Sequence, residues 1–255
     1  MPRQWINVDA ENVGKRIDKL LADVFPNYPR TAIHKLFENS DVLVNDKIAK
    51  PGMKSRLGDV IRVDLSILDI KIEDIELPII YEDDNVLVVN KPAGVISHAR
   101  GRYFDEASVA SFIRQKVSSL TGERAGIVHR LDRATSGVMI CAKNSESLSW
   151  LQKQFSERKV QKTYLAIIVG TMPSSTGQID MPIARNPNRP VTFHVDEMGK
   201  HAITNYRTLQ TKNDYSLVEL APITGRTHQL RVHLRQLKHP IVGDELYEGE
   251  TANRL

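Results

Sequence analysis

Strand-length apolar runs recur along this chain without the regular alternation with helices that a parallel sheet requires. Val42-Leu43-Val44, Val60 to Leu65, Ile79 to Tyr81, Val86 to Asn90, Val138 to Ala142, Thr163 to Val169, Asn205 to Leu209 and Tyr215 to Leu220 each read as a strand. Val138 to Ala142 is a continuous apolar run of the kind found in buried strands. Helical spacing appears in Lys15 to Phe25, where Ile17, Leu20, Leu21 and Val24 share a face, and in Thr31 to Phe37. It returns in Ala107 to Leu120, around Leu148, Leu151 and Phe155, and at Thr227, Leu230, Leu234 and Leu237. Helices scattered among many strands predict an α+β fold with a mixed, mostly antiparallel sheet.

The pattern divides the chain. Residues 1–65 hold two helices and a few short strands, a small α+β unit of marginal core size on its own. Residues 66–76 set Ile67, Ile70, Ile72 and Ile75 against Asp69, Glu73 and Asp74 without Gly or Pro, which predicts an ordered connector or edge strand. Residues 77–255 form the second, larger unit.

Composition mainly excludes. The single cysteine, Cys141, rules out an intrachain disulfide and a cysteine-based zinc site. His228 and His233 are five apart, not the i, i+4 pair of a helical metal site, so no metal is expected. No apolar run approaches the roughly 20 residues of a membrane span, and Met1 to Ala10 lacks a signal-peptide core. The expectation is a soluble, cytoplasmic protein with no membrane partner. The formal charge of +4 falls entirely after residue 75, too small an excess to identify a nucleic-acid partner by itself.

Four segments carry polar groups that chemistry can use. His129-Arg130-Leu131-Asp132-Arg133-Ala134-Thr135-Ser136-Gly137 joins the strand candidate Ile127-Val128 to the apolar run at Val138. It suits a catalytic carboxylate held on rigid strands, but spacing alone favours the commoner case, a plain turn in which Asp132 caps the N–H of Thr135 or Ser136. Gly225 to Arg235 reads as a helix with Leu230, Leu234 and Leu237 inward and Arg226 and His233 on its flanks. It is either a solvated basic helix or a basic wall for a phosphodiester or buried carboxylate. In Lys162-Thr163-Tyr164, the ring of Tyr164 serves a core or stacks on a base. Asn90-Lys91-Pro92-Ala93-Gly94 reads as a turn at a strand end, since one glycine makes no phosphate loop. No Walker, Rossmann or nucleophile-elbow signature is present, so no nucleotide cofactor is indicated.

Together these segments resemble the RluA family of RNA pseudouridine synthases over about residues 77 to 249. His-Arg-Leu-Asp-x-x-Thr-Ser-Gly at 129–137 is highly specific, as are Gly225-Arg-Thr-His-Gln-Leu-Arg-Val-His233 and His239-Pro-Ile-Val-Gly-Asp244. Asn90-Lys-Pro-Ala-Gly94 and Lys162-x-Tyr164 are weaker matches in the expected order. Residues 1–65 resemble the S-four RNA-binding domain through Gly14-Lys-Arg-Ile-Asp18, Pro29-Arg-Thr-Ala32, Val42-Leu-Val-Asn45 and Gly58-Asp59. The resemblance implies isomerisation of a uridine in structured RNA, large-subunit ribosomal RNA before transfer RNA, without metal, nucleotide or redox cofactor, by a monomer. It makes Asp132 the essential aspartate, Arg226 its ion-pair partner and Tyr164 the residue that stacks on the base and is suspected of taking the carbon-5 proton. Leu230 packs near that ring, Arg130 enters the stack vacated by the base, and His129 joins the substrate-binding set. Arg30, Lys35, Lys47 and Lys50 are the candidates for RNA-backbone contacts. Relatives in the family continue past this point with another sheet strand, where this sequence stops at Asn253-Arg254-Leu255. Two rival readings are a non-catalytic RNA-binding or ribosome-assembly factor that keeps the fold, and a carboxylate-based nucleoside hydrolase.

Overall fold

A computed structural model describes residues 3–26, 28, 30–68, 75–98, 106–117, 119–120 and 124–248. The chain forms two compact units, Met1–Leu148 and Ser149–Leu255.

The first unit opens with β1 (Arg3–Asn7), α1 (Ile17–Val24), α2 (Arg30–Glu38), β2 (Val42–Val44), β3 (Lys47–Ile48) and β4 (Val60–Asp64). These strands make one antiparallel sheet in the order β1-β4-β2-β3. The β2–β3 hairpin turns on Asn45 and Asp46, both at positive φ (49° and 61°), the mirror-type turn that matches strand twist. Ile17, Leu20 and Leu21 of α1 and Ile33 and Leu36 of α2 are fully buried in one core with Val42, Ile61 and Val63 of the sheet. Val24 does not join its expected face: it ends α1 and is exposed. β1, Arg-Gln-Trp-Ile-Asn, lacks the apolar alternation that predicts a strand, and none of its residues is fully buried. Ser66–Leu68 forms a single 3-10 turn, and most of the expected connector, 69–74, lies outside the described residues.

The same unit continues with β5 (Ile79–Glu82), β6 (Val86–Lys91), α3 (Val109–Lys116) and β7 (Gly137–Ala142), whose strands pair antiparallel in the order β5-β6-β7. α3 is shorter than the expected 107–120: Ser108 caps its start, and the extended backbone at Val117 ends it. The Ser108 hydroxyl accepts the Ser111 N–H while the Ser111 hydroxyl accepts the Ser108 N–H, a reciprocal capping box. Val138 is exposed while Met139, Cys141 and Ala142 are buried, so this apolar run is not buried on both faces. Ile127 makes one bridge to Cys141 rather than opening a strand.

α4 (Ser145–Ser156) leads into the second unit, which carries β8 (Tyr164–Val169), β9 (Thr176–Asp180), β10 (Ile183–Arg185), β11 (Phe193–Val195), β12 (Ile203–Lys212), β13 (Tyr215–Pro222) and α5 (Gln229–Gln236). Its sheet is antiparallel in the order β8-β13-β12-β9, with a separate β10–β11 hairpin. Ile168, Val218, Leu220 and Leu234 are its fully buried centre. Among the described residues every pair of named strands is antiparallel and a single bridge, Ile96 to Ser108, is parallel, in keeping with the expected α+β fold of mostly antiparallel pairing. Among the described residues no helix is long and apolar enough to cross a membrane.

Candidate active site

The first unit presents Asp132 on the loop between the Ile127 bridge and β7. This loop is a turn: the Thr135 N–H donates to the Asp132 backbone carbonyl at 3.0 Å. The Asp132 carboxylate is half-buried. His129, half-buried, is tied down by its ring, with Nε2 accepting the Ile140 N–H at 3.1 Å. Arg130 is exposed.

The turn Lys91-Pro92-Ala93-Gly94 braces this loop. Lys91 has no exposed surface, although it ends a strand. Its ammonium donates to the carbonyls of Pro92 (2.9 Å), Val95 (2.7 Å) and Arg133 (3.3 Å). Burial pushes the Lys91 ammonium below the usual lysine range, the Asp132 carboxylate opposes that shift and Arg133 adds to it. Gly94 stands at φ 91°, a conformation other residues reach only with strain, and its N–H reaches the Arg133 carbonyl at 2.8 Å. The segment expected to be only a turn therefore holds the aspartate loop.

In the second unit Arg226 is anchored from two sides. Its Nε donates to the His201 carbonyl at 2.9 Å, and its backbone N–H donates to Gln229 Oε1 at 3.0 Å. Gln229 is buried, and its amide carries a chain of bonds inward. Gln229 Nε2 donates to Thr204 Oγ1 (3.0 Å) and to the Ile203 carbonyl (2.9 Å). Thr204 Oγ1 meets His233 Nδ1 at 3.0 Å, and His233 Nε2 donates to the Met181 carbonyl at 2.9 Å. A carbonyl can only accept, so Nε2 carries the proton and Nδ1 takes that of Thr204. Burial holds the imidazole below its usual range, against the opposing pull of the Met181 carbonyl and Asp180. His233 was expected on a solvated flank of α5, but it is fully buried because this network satisfies both ring nitrogens.

Tyr164 opens β8 opposite Leu220 of β13. Tyr164 and Leu230 are half-buried and pack against the same core cluster. Two residues before Tyr164, the Lys162 ammonium comes within 3.9 Å of where a side chain on Gly225 would begin. Burial, and Arg158 beside it, push that ammonium below its usual range.

Of the candidates for backbone contacts, Arg30 is exposed and its guanidinium donates to Asp18 Oδ2 at 2.5 Å. Lys47 and Lys50 are exposed and Lys35 is half-buried. Asp18 is fully buried and also takes two bonds from Arg16 (3.0 and 3.1 Å). Burial pushes its carboxyl up, but the hydrogen bonds and charges of Arg16 and Arg30 outweigh burial and hold it well below the usual carboxylate range. Lys15, Arg16, Lys19 and Arg30 line a shared groove there, with one acidic residue, Asp23, among them. Sequence reasoning passed over Arg16, Gln229 and His233 as working residues. Their motif positions were visible, but their partners were not.

The sequence model for RNA pseudouridylate synthase matches residues 85–236. A ribosomal large subunit pseudouridine synthase D of Xylella fastidiosa is 37% identical over 240 residues, covering 92% of this chain and 72% of that protein. An uncharacterized RNA pseudouridine synthase of Aquifex aeolicus is 40% identical over 249 residues, covering 93% and 78%. Among solved structures, human RNA pseudouridylate synthase domain containing 1 superposes with a TM-score of 0.59 at 30% identity, covering 72% of this chain and 75% of that one.

Proposed function

The chain belongs to the RNA pseudouridylate synthase family, and from that premise we propose that it isomerises uridine in large-subunit ribosomal RNA, with Asp132 as the catalytic residue. The substrate class follows relatives such as the Xylella fastidiosa protein, a ribosomal large subunit pseudouridine synthase D. The observation that carries the assignment of Asp132 is the bracing of its loop by the buried Lys91. A carboxylate on a loop fixed this way is preorganised.

The reaction is self-contained in atoms. The bond between N1 and the anomeric carbon breaks, a bond from carbon 5 to the anomeric carbon forms, carbon 5 loses its proton and N1 gains one. Breaking the first bond places positive charge on the ribose and negative charge on uracil. Ionised Asp132 meets that demand, either as a nucleophile on the anomeric carbon or as a base that takes a ribose proton to leave a glycal. In the same proposal Arg226 supplies positive charge and Tyr164 faces the base and handles the carbon-5 proton. Leu230 packs beside the Tyr164 ring, and Arg130 and His129 contact the RNA. No cofactor is called for, because every proton and electron pair is accounted for within the substrate and these side chains.

Residues 1–65 are proposed as an S-four-like RNA-binding domain, 66–76 as a connector and 77–255 as the catalytic domain. The groove of Lys15, Arg16, Lys19 and Arg30 supports the first assignment, since clustered guanidinium and ammonium groups suit phosphodiesters. Lys35, Lys47 and Lys50 extend the proposed contact surface. The protein is proposed to act as a cytoplasmic monomer without a membrane partner.

The test is tritium release from RNA carrying 5-tritiated uridine. Release from transcribed large-subunit ribosomal RNA and not from transfer RNA supports the proposal. Release from transfer RNA alone reassigns the substrate, and RNA binding without release from either favours an assembly factor.

A further inference from the structure

The backbone around Asp132 is fixed on both sides. The Ser97 hydroxyl, on a residue only 3% exposed, donates to the Leu131 carbonyl at 2.7 Å and accepts the Leu131 N–H at 3.0 Å. A hydroxyl has one proton to give, and its short bond goes to the Leu131 carbonyl while its oxygen accepts from the same residue; the Met139 sulfur, at 3.5 Å, is the weaker alternative acceptor. On the other side, the Arg133 guanidinium makes two bonds to Glu106, of 2.8 and 2.6 Å, and a third to the Gly94 carbonyl at 3.3 Å. The Asp132 carbonyl is held by Thr135 N–H, and that of Arg133 by Gly94 N–H and the Lys91 ammonium. The consecutive peptide planes from Leu131 to Arg133 therefore each have a partner, and little backbone freedom remains at Asp132.

Both outer tethers lead to one place. The Ser97 carbonyl accepts the Ala110 N–H and the Ile96 carbonyl accepts the Val109 N–H, each at 3.0 Å. These are first-turn donors of α3, which a helix cannot satisfy by itself. Glu106 lies two residues before Ser108, the cap of that helix. We propose that the start of α3 is the platform that sets the posture of Asp132, with Ser97 acting on Leu131 and Glu106 acting on Arg133 as positioning residues. This rests on the reading of Asp132 as the catalytic residue.

The two tethers differ in what else they do. The Glu106–Arg133 pair is exposed, with side chains 38% and 56% accessible, and such pairs contribute little to stability. Its two-bond geometry fixes an orientation instead. Ser97 is buried, so its loss also leaves the Leu131 polar groups without a partner. An effect of Glu106 on turnover with stability unchanged is therefore the sign of positioning.

The experiment compares the full chain with Ser97→Ala, Ser97→Thr, Glu106→Ala, Glu106→Gln and Asp132→Asn. Single-turnover tritium release from large-subunit ribosomal RNA, RNA affinity and thermal unfolding are measured for each. Misplacing a catalytic group by about 1 Å costs on the order of 100-fold in rate. Ser97→Ala and Glu106→Ala are expected to slow release by about 10- to 100-fold with RNA affinity unchanged. Ser97→Thr, which keeps the hydroxyl, recovers most of the rate, and Glu106→Gln, which keeps one acceptor, falls between Glu106→Ala and the parent. Glu106→Ala unfolds at the parent temperature. Wild-type release by Glu106→Ala, or a loss that lies only in RNA affinity, overturns the inference even if Ser97→Ala fails to fold. Undiminished release by Asp132→Asn instead overturns the reading on which it rests.

Discussion

The ammonium of Lys91 donates to the backbone carbonyl of Arg133 across 3.3 Å, with no part of the lysine exposed. A buried charge normally sits beside an opposite charge, but this one is also spent on carbonyls. Lys91→Met keeps the bulk and removes the donor that the Pro92 and Val95 carbonyls share. It is expected to cost about 2 kcal/mol and to slow turnover, because the aspartate loop loses a tether. Urea denaturation checks the first part, and a variant as stable as its parent contradicts it.

The neutral imidazole of His233 gives the second unit an acid sensitivity. Its folded-state pKa lies below the ordinary value, so the unfolded chain takes up a proton first as the pH falls. The stability from this group is therefore present above about pH 6.5 and is lost as acid approaches the depressed folded value. Protonation also removes the acceptor for Thr204 and loosens the chain of bonds to Arg226. Unfolding temperatures between about pH 8 and pH 5 should fall more steeply for the parent than for His233→Gln. Equal slopes contradict this account.

Arg231 and Asp244 form a largely buried pair with two bonds of 2.6 Å. The Arg231 guanidinium also lies 4.8 Å from the ring centre of Tyr247. Asp244→Asn removes the carboxylate that takes both of these bonds and is expected to cost about 3 kcal/mol. Arg231→Lys retains the charge but not the fork, and should lose about 1–2 kcal/mol. Chemical denaturation distinguishes these from the near-zero cost expected of an exposed pair.

Asp18 holds Arg16 and Arg30 at the groove in the first unit, and its carboxyl stays well below the usual range. The stability it contributes is present above about pH 4 and is lost only as the pH falls further, toward the depressed folded value. Arg30→Gln should weaken RNA binding and reduce the dependence of log affinity on log salt by about one. An unchanged salt slope removes Arg30 from the proposed contacts.

The legible parts of the chain were those whose signal is local. Ile17, Leu20 and Leu21 mark α1 because helix period and burial coincide. β9 and β10 escaped because Thr-Gly-Gln-Ile-Asp and Ile-Ala-Arg carry no apolar alternation, and β11 because the alternation of Phe-His-Val spans only three residues. Gly177 even looks like a strand breaker. It is there because the Tyr206 hydroxyl lies 2.6 Å from where a Cβ would stand. Among the candidate residues, Asp132 and Arg226 stand within specific motifs and Tyr164 within a weaker one. Ser97 and Glu106 did not stand out, since their partners are 34 and 27 residues away and only folding brings them together. His233 lies off the apolar face that Leu230, Leu234 and Leu237 define, and the groups that satisfy its ring, Thr204 of β12 and the Met181 carbonyl between β9 and β10, are distant in sequence.

The most direct measurement is tritium release from 5-tritiated large-subunit ribosomal RNA by the parent and by Asp132→Asn, with RNA affinity and unfolding measured on the same preparations. The account predicts release by the parent and none by the variant, at equal affinity and stability. Release by a folded Asp132→Asn at a rate near that of the parent contradicts it.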